Sequence, residues 1–192
     1  MPSSPHRYTA QAIVASPLGD LRLARTAQGL AGAWFIHGTK DHPGPLADVS
    51  MAPEDTLLQQ AAREFERYWH GQATTFDVPL DLLGTPFQCA VWQALLEIPF
   101  GATRTYGDIA RHVGQPRAAQ AVGMAVGANP LIVIVPCHRI IGRDARLTGF
   151  SSGMPRKIDL LTREGLRIDG EFVRETGTHQ STLFDDDAGA PQ

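Results

Sequence analysis

The stretch Leu131-Ile132-Val133-Ile134-Val135-Pro136-Cys137-His138-Arg139-Ile140-Ile141 constrains this chain more than any other. Aliphatic residues flank its centre on both sides, and the run reads as a buried β segment. Yet a thiol, an imidazole and a guanidinium occupy three consecutive positions within it. Buried polar and ionisable groups cost free energy unless they are paired, so such a conflict marks a functional site more often than a purely structural one. The fold must bury this segment and still supply partners for those three groups.

The chain has 192 residues, 43% of them apolar, enough for one large domain or two small ones. No run approaches a membrane-spanning helix, and Met1-Pro2-Ser3-Ser4-Pro5-His6-Arg7 lacks the apolar segment of a secretory signal, so a soluble, cytoplasmic protein is expected. The two cysteines, Cys89 and Cys137, form no close-spaced metal motif, and a reducing compartment keeps both as thiols. His37, His42 and His70 match no usual metal spacing; no metal and no cofactor are expected. The net charge of −3 conceals a polarity. Residues 1–84 carry 6 basic and 9 acidic side chains, residues 85–170 carry 10 and 6, and residues 171–192 carry 1 and 5. The basic part holds Cys137, which makes nucleic acid a candidate partner, although charge alone favours a plain solvated surface.

Three strand-like runs, Tyr8–Ala15, Leu18–Ala24 and Leu30–Phe35, are separated by turn signals and predict an antiparallel meander. After a loop rich in Gly, Pro, His and Asp, Pro53-Glu54-Asp55 opens a helix with Leu57, Leu58, Ala61, Ala62, Phe65, Tyr68 and Trp69 on one face. It ends near Gly71. Residues 79–84 read as a last strand and exit, and the domain boundary falls at Thr85. Thr85 caps a helix that continues to a stop at Pro99-Phe100-Gly101. Cys89 within it reads as a small core residue. A short helix follows from Thr105-Tyr106, and a second begins at Gln115-Pro116 and runs through Gly127. Together they make a helix-turn-helix pattern.

The second helix lacks bulk. Reading bases needs long polar side chains, so this helix suits recognition of shape or backbone; tight packing in a core is an equal alternative. Asn129-Pro130 closes it. Beyond Cys137, residues 142–149 read as the turn of a hairpin, a wing after the helix-turn-helix. Pro155 to Glu164 form a last helix with Ile158, Leu160 and Leu161 inward. Residues 171–192 read as an acidic, mobile tail.

Only thiolate is a good nucleophile, so Cys137 needs an activator. His138 is the nearest base and Glu164 a candidate orienting acid. Adjacent residues on a strand point to opposite faces, however, so His138 serves Cys137 only if the backbone turns or a water bridges them. On spacing alone, a cysteine protease or acyltransferase fits about as well.

Asn129-Pro130 with Ile134-Val135-Pro136-Cys137-His138-Arg139-Ile140-Ile141, joined to Thr105-Tyr106-Gly107-Asp108-Ile109-Ala110, Thr148-Gly149-Phe150-Ser151 and Leu160-Leu161-Thr162-Arg163-Glu164-Gly165, closely resembles the O6-alkylguanine-DNA alkyltransferases. The resemblance covers about residues 8–167. It implies an α/β fold: an N-terminal ribonuclease-H-like domain at residues 1–84 and a mainly helical, winged helix-turn-helix domain at residues 85–170. It also implies that Cys137 takes an alkyl group from O6 of guanine, or less readily from O4 of thymine, once per molecule.

Within that resemblance His138 acts on the thiol through a water and is oriented by Glu164. Asn129 braces the turn, and Tyr106 helps rotate the nucleotide and protonates the leaving base. Backbone groups of Cys137, Ile140 and Ser151 read the guanine edge, while Val126 and Phe150 wall the pocket. A base inside a duplex must be flipped out to meet a thiol. Arg117, Ala118, Ala119, Gln120 and Ala121 are then the residues expected against the minor groove of double-stranded DNA, with little sequence preference and with the protein as a monomer.

Three departures follow from that resemblance. Gln120 stands where the family usually has the arginine that fills the gap left by the base, predicting weaker retention of the flipped state. Residues 1–84 hold no cysteine, so the zinc site of some relatives is not expected. Phe150 replaces a tyrosine of some members. A non-enzymatic sensor of alkylated DNA, in which the reactive cysteine is replaced, and a winged-helix regulator with a structural cysteine are the competing classes.

Overall fold

The computed structural model describes residues 8–38, 46 and 48–174. β1 (Ala10–Val14), β2 (Leu21–Arg25) and β3 (Leu30–Phe35) form the expected antiparallel meander in the order β1-β2-β3. β3 is buried along its whole length because both faces are covered. Helix α1 (Thr56–Trp69) packs on this sheet through Leu58, Ala61, Phe65, Tyr68 and Trp69, and the Asp55 side chain caps it. Residues 79–84 make a single parallel bridge between Leu80 and Leu30 rather than a full strand.

Helix α2 (Pro86–Leu96) starts where Thr85 and Gln88 close a capping box. A two-residue strand, β4 (Arg104–Thr105), leads into α3 (Tyr106–His112), which starts with a second box made by Thr105 and Asp108. α4 (Ala119–Gly127) begins three residues later than its proline suggested, with Ala118 at the cap and no capping side chain. Pro116 and Arg117 belong to the turn. The Trp92 indole of α2 donates to Ala125 O at 2.8 Å and ties α4 to the core.

The stretch 131–139 departs most from expectation, because it is not a continuous strand. Leu131 bridges β3 at Ala33, the chain turns at Val133 with φ at 71°, and Val135 N returns to Leu131 O at 2.8 Å. A β-branched residue at positive φ is strained and needs its surroundings to hold it there. Residues Cys137–Arg139 then form one 3-10 turn. β5 (Ile140–Ile141) pairs in parallel with β4.

Residues 142–149 turn, but not as a hairpin: Asp144 and Ala145 take positive φ, 58° and 61°, Gly142 N donates to Arg146 O at 2.7 Å, and Arg146 bridges Phe172. The hairpin lies further on. After α5 (Met154–Arg163), β6 (Arg167–Asp169) and β7 (Phe172–Arg174) pair antiparallel. Phe172–Arg174 are therefore ordered in β7, not part of a mobile tail; the rest of that stretch, 175–192, lies outside the described residues. The loop histidine His42 also lies outside them. Among the described residues no helix is long and apolar enough to cross a membrane.

Candidate active site

Cys137 and His138 lie in a 3-10 turn rather than on a strand, so their side chains are not held on opposite faces of a sheet. Arg139 N donates to Pro136 O at 2.9 Å and Cys137 N to Val135 O at 2.8 Å, so the backbone of the turn is internally satisfied.

Asn129 holds the turn from one side. Its Nδ2 donates to Val135 O at 2.8 Å and to Cys137 Sγ at 3.0 Å, while Leu131 N donates to its Oδ1 at 2.9 Å. The Cys137 side chain is almost fully enclosed, 3% exposed. Burial pushes its thiol above the usual range. Opposing that push are the Asn129 amide, the charge of Lys157 and the backbone N–H groups of Cys137 and His138. Each of these stabilises thiolate.

Glu164, at the C-cap of α5, gathers donors from three parts of the chain. Oε1 accepts from His138 Nε2 at 2.8 Å, Arg139 Nη2 at 2.9 Å and Tyr68 OH at 2.9 Å. Oε2 accepts from Arg139 Nε at 2.8 Å and Gly101 N at 3.2 Å. Burial alone would raise this carboxyl, but His138 and Arg139 outweigh it and hold the group well below the ordinary carboxylate range. An ionised carboxylate only accepts, so His138 Nε2 is the donor. Its other ring nitrogen, Nδ1, is then the basic one; it is buried and meets no protein partner among the described residues. Burial also pushes the His138 imidazole down, with Glu164 opposing and Arg139 and Lys157 adding to the shift.

Gly101 is required where it stands. Its φ is +76°, and a Cβ there would come within 2.9 Å of Glu164 O. Arg139 is completed by Nη1 donating to Ile98 O at 2.6 Å.

Two charged residues of this site carry no role in the sequence reading. Lys157 is 1% exposed, and its Nζ donates to Ile140 O and, at 3.2 Å, to Thr148 O. Burial pulls its ammonium down to about 8, with Cys137 opposing. Its signal was present: Lys157, Leu160, Leu161 and Glu164 follow helical spacing, which puts a lysine on a buried stripe. Arg139 lay within the quoted motif, but its carboxylate partner is far away in sequence.

Tyr106, at the first position of α3, has its hydroxyl 3.2 Å from Thr148 Oγ1. Ile140 and Val126 are buried beside this region, and Phe150 and Ser151 are partly exposed in the loop before α5. Two hydrogen-bonded groups thus meet at the 3-10 turn, Asn129 with Cys137 and Glu164 with His138, and Tyr106 is joined to the Thr148 segment that Lys157 also holds. On α4 the exposed face presents Gln120 and, one turn later, Met124, 68% exposed. Arg117 is exposed in the preceding turn, and Ala118, Ala119 and Ala121 are partly buried.

A cysteine held by Asn129 next to a histidine–glutamate pair, on a helical unit with a small-residue helix at its surface, defines a class: proteins that carry a nucleophilic thiol on a scaffold of the DNA-binding type. Comparison with known proteins narrows it. Residues 86–166 match the family model described as 6-O-methylguanine DNA methyltransferase, DNA binding domain, and residues 10–82 match its ribonuclease-like domain. A methylated-DNA–protein-cysteine methyltransferase of Methanosarcina acetivorans is 45% identical over 154 residues, 80% of this chain and 97% of the relative. One from Mycobacterium tuberculosis is 41% identical over 170 residues, 88% of this chain and 95% of the relative. The crystal structure of the Mycobacterium tuberculosis protein in complex with DNA superposes with a TM-score of 0.74 at 42% identity, covering 81% of this chain and 92% of that one. The chain belongs to the methylated-DNA–protein-cysteine methyltransferase family.

Proposed function

We propose that this protein repairs DNA by moving the alkyl group of O6-alkylguanine, and less readily of O4-alkylthymine, onto Cys137. The observation that carries this reading is the meeting of two hydrogen-bonded pairs, Asn129–Cys137 and His138–Glu164, in one 3-10 turn. Cys137 Sγ sits against the Asn129 amide, and His138 offers a buried Nδ1 with no partner among the described residues and its Nε2 fixed on Glu164. The thiol proton passes through a water to Nδ1, and the imidazolium is stabilised by Glu164. The thiolate attacks the alkyl carbon; the S–C bond forms, the C–O bond breaks, and its electron pair stays with the base. Tyr106 supplies a proton to the departing guanine. Since S-alkylcysteine has no route back to thiol here, each molecule acts once.

Ile140 and Ser151 read the guanine edge with Cys137, and Val126 and Phe150 enclose the base. Arg117, Ala118, Ala119, Gln120 and Ala121 lie against the minor groove, where small residues permit close approach without a base code. The protein acts as a monomer in the cytoplasm, with residues 1–84 and 85–170 as its two domains. Incubation of the full chain with duplex DNA containing O6-methylguanine tests the reading by intact mass. A gain of one methylene, mapped to Cys137 and lost in Cys137→Ala, is expected; no adduct under conditions where a family member reacts overturns it.

A further inference from the structure

Tyr68 reads in the sequence as one of several core residues on α1. Its ring is indeed buried, edge-on to Phe100 with centroids 6.2 Å apart. Its hydroxyl, however, lies 2.9 Å from Glu164 Oε1, the same oxygen that His138 Nε2 meets at 2.8 Å. The carboxylate is ionised, so the phenol donates. On both sides of this bond the helix ends are clamped: Arg163, the residue before Glu164, donates from Nη1 to Trp69 O at 2.8 Å and lies over the Trp69 ring.

We propose that Tyr68, from the sheet-bearing N-terminal part of the chain, is a positioning residue of the alkyl-transfer site, tuning through its hydroxyl how strongly Glu164 holds the protonated form of His138. The proposal rests on the relay described under Proposed function. A hydrogen bond to Oε1 draws negative charge away from His138, because Tyr68 and His138 share that oxygen, with Arg139 Nη2 as its third donor. The other charged or titratable groups acting on this chain of bonds are Arg139 from the 3-10 turn and Lys157 and Arg163 from α5, with Cys137 acting in turn on Lys157. None of them is altered by removing the phenol oxygen.

The test uses the full-length protein, Tyr68→Phe, and a protein with 3-fluorotyrosine at position 68 alone. The first deletes the donor and keeps the ring; the second makes the donor more acidic. Two readouts are followed against pH: the NMR titration of the His138 ring, and the single-turnover rate of alkyl transfer from O6-methylguanine duplex.

Without the hydroxyl, Glu164 stabilises imidazolium more, so His138 stays protonated to higher pH. Both the titration and the acidic limb of the rate profile move up by about half a unit, roughly threefold in proton concentration. With 3-fluorotyrosine both move down. Opposite shifts are not produced by a residue that only packs.

Coincident curves for all three proteins overturn the proposal, whatever happens to thermal stability. If Tyr68→Phe does not fold, the fluorinated protein decides alone: a downward shift supports the proposal and none sinks it. If the titrations shift while the wild type forms no adduct, the repair reading fails and the Tyr68 coupling stands.

Discussion

Asn129 serves three partners with one amide: it accepts from Leu131 N and donates to Val135 O and to Cys137 Sγ. Alanine there would leave the buried Leu131 N–H without its acceptor, take from Val135 O one of its two donors, and leave the φ of 71° at Val133 without its brace. We expect Asn129→Ala to lower stability by on the order of 3 kcal/mol in urea denaturation, and to slow alkyl transfer beyond what partial unfolding accounts for. A variant with unchanged stability would remove the bracing role. At this scale the sequence made Cys137 and His138 legible as a candidate site, because they are adjacent and their chemistry is local, whereas the bracing role of Asn129 was implied only by the family resemblance. Lys157 and Tyr68 were legible only as pattern. Helical spacing places each on a buried face, but the partner that gives each a role lies 17 residues away in one case and 96 in the other.

Elements were readable where their signals were local. α2 and α3 begin at capping threonines, each with its reciprocal partner three residues on, and both starts fall where the sequence puts them. α4 lacks a capping side chain, and its proline marks a turn rather than the first helical residue. The apolar run before Cys137 misleads for a different reason: a strand and a buried turn demand the same aliphatic residues, and only tertiary pairing with β3 separates them. On α4, Gln120 is exposed without the charge or planar fork of arginine. Gln120→Arg should therefore accelerate repair of duplex substrate several-fold and leave single-stranded substrate unchanged, measured as single-turnover rates. Equal duplex rates would show that glutamine already holds the vacated space.

Across the whole molecule, the N-terminal sheet and helix are joined to the cysteine-bearing part by bonds no short-range pattern announces. Ala33 N donates to Pro130 O at 2.8 Å and Ile132 N to Ala33 O at 3.1 Å, so β3 pairs in parallel with the segment that leads to Cys137. Arg156 of α5 donates to Leu18 O at 2.9 Å and to Ser152 O at 3.0 Å, with its guanidinium stacked on Phe35. One apolar cluster runs from Leu21 and Phe35 through Trp92 to Val135 and Cys137. Calorimetry should accordingly show one cooperative unfolding transition despite two family-model regions. Two resolved transitions would mean the parts fold independently.

The enclosure of Cys137 has a last consequence, for how long an unused molecule keeps. A protein consumed by its own reaction is lost just as surely to a stray oxidant or electrophile as to a lesion. Cys137 is 3% exposed and its thiol is held in the protonated form by burial. Both slow reaction with small reagents from solvent. The cluster that readies the sulfur for one substrate thus also preserves it, unreacted, until that substrate arrives.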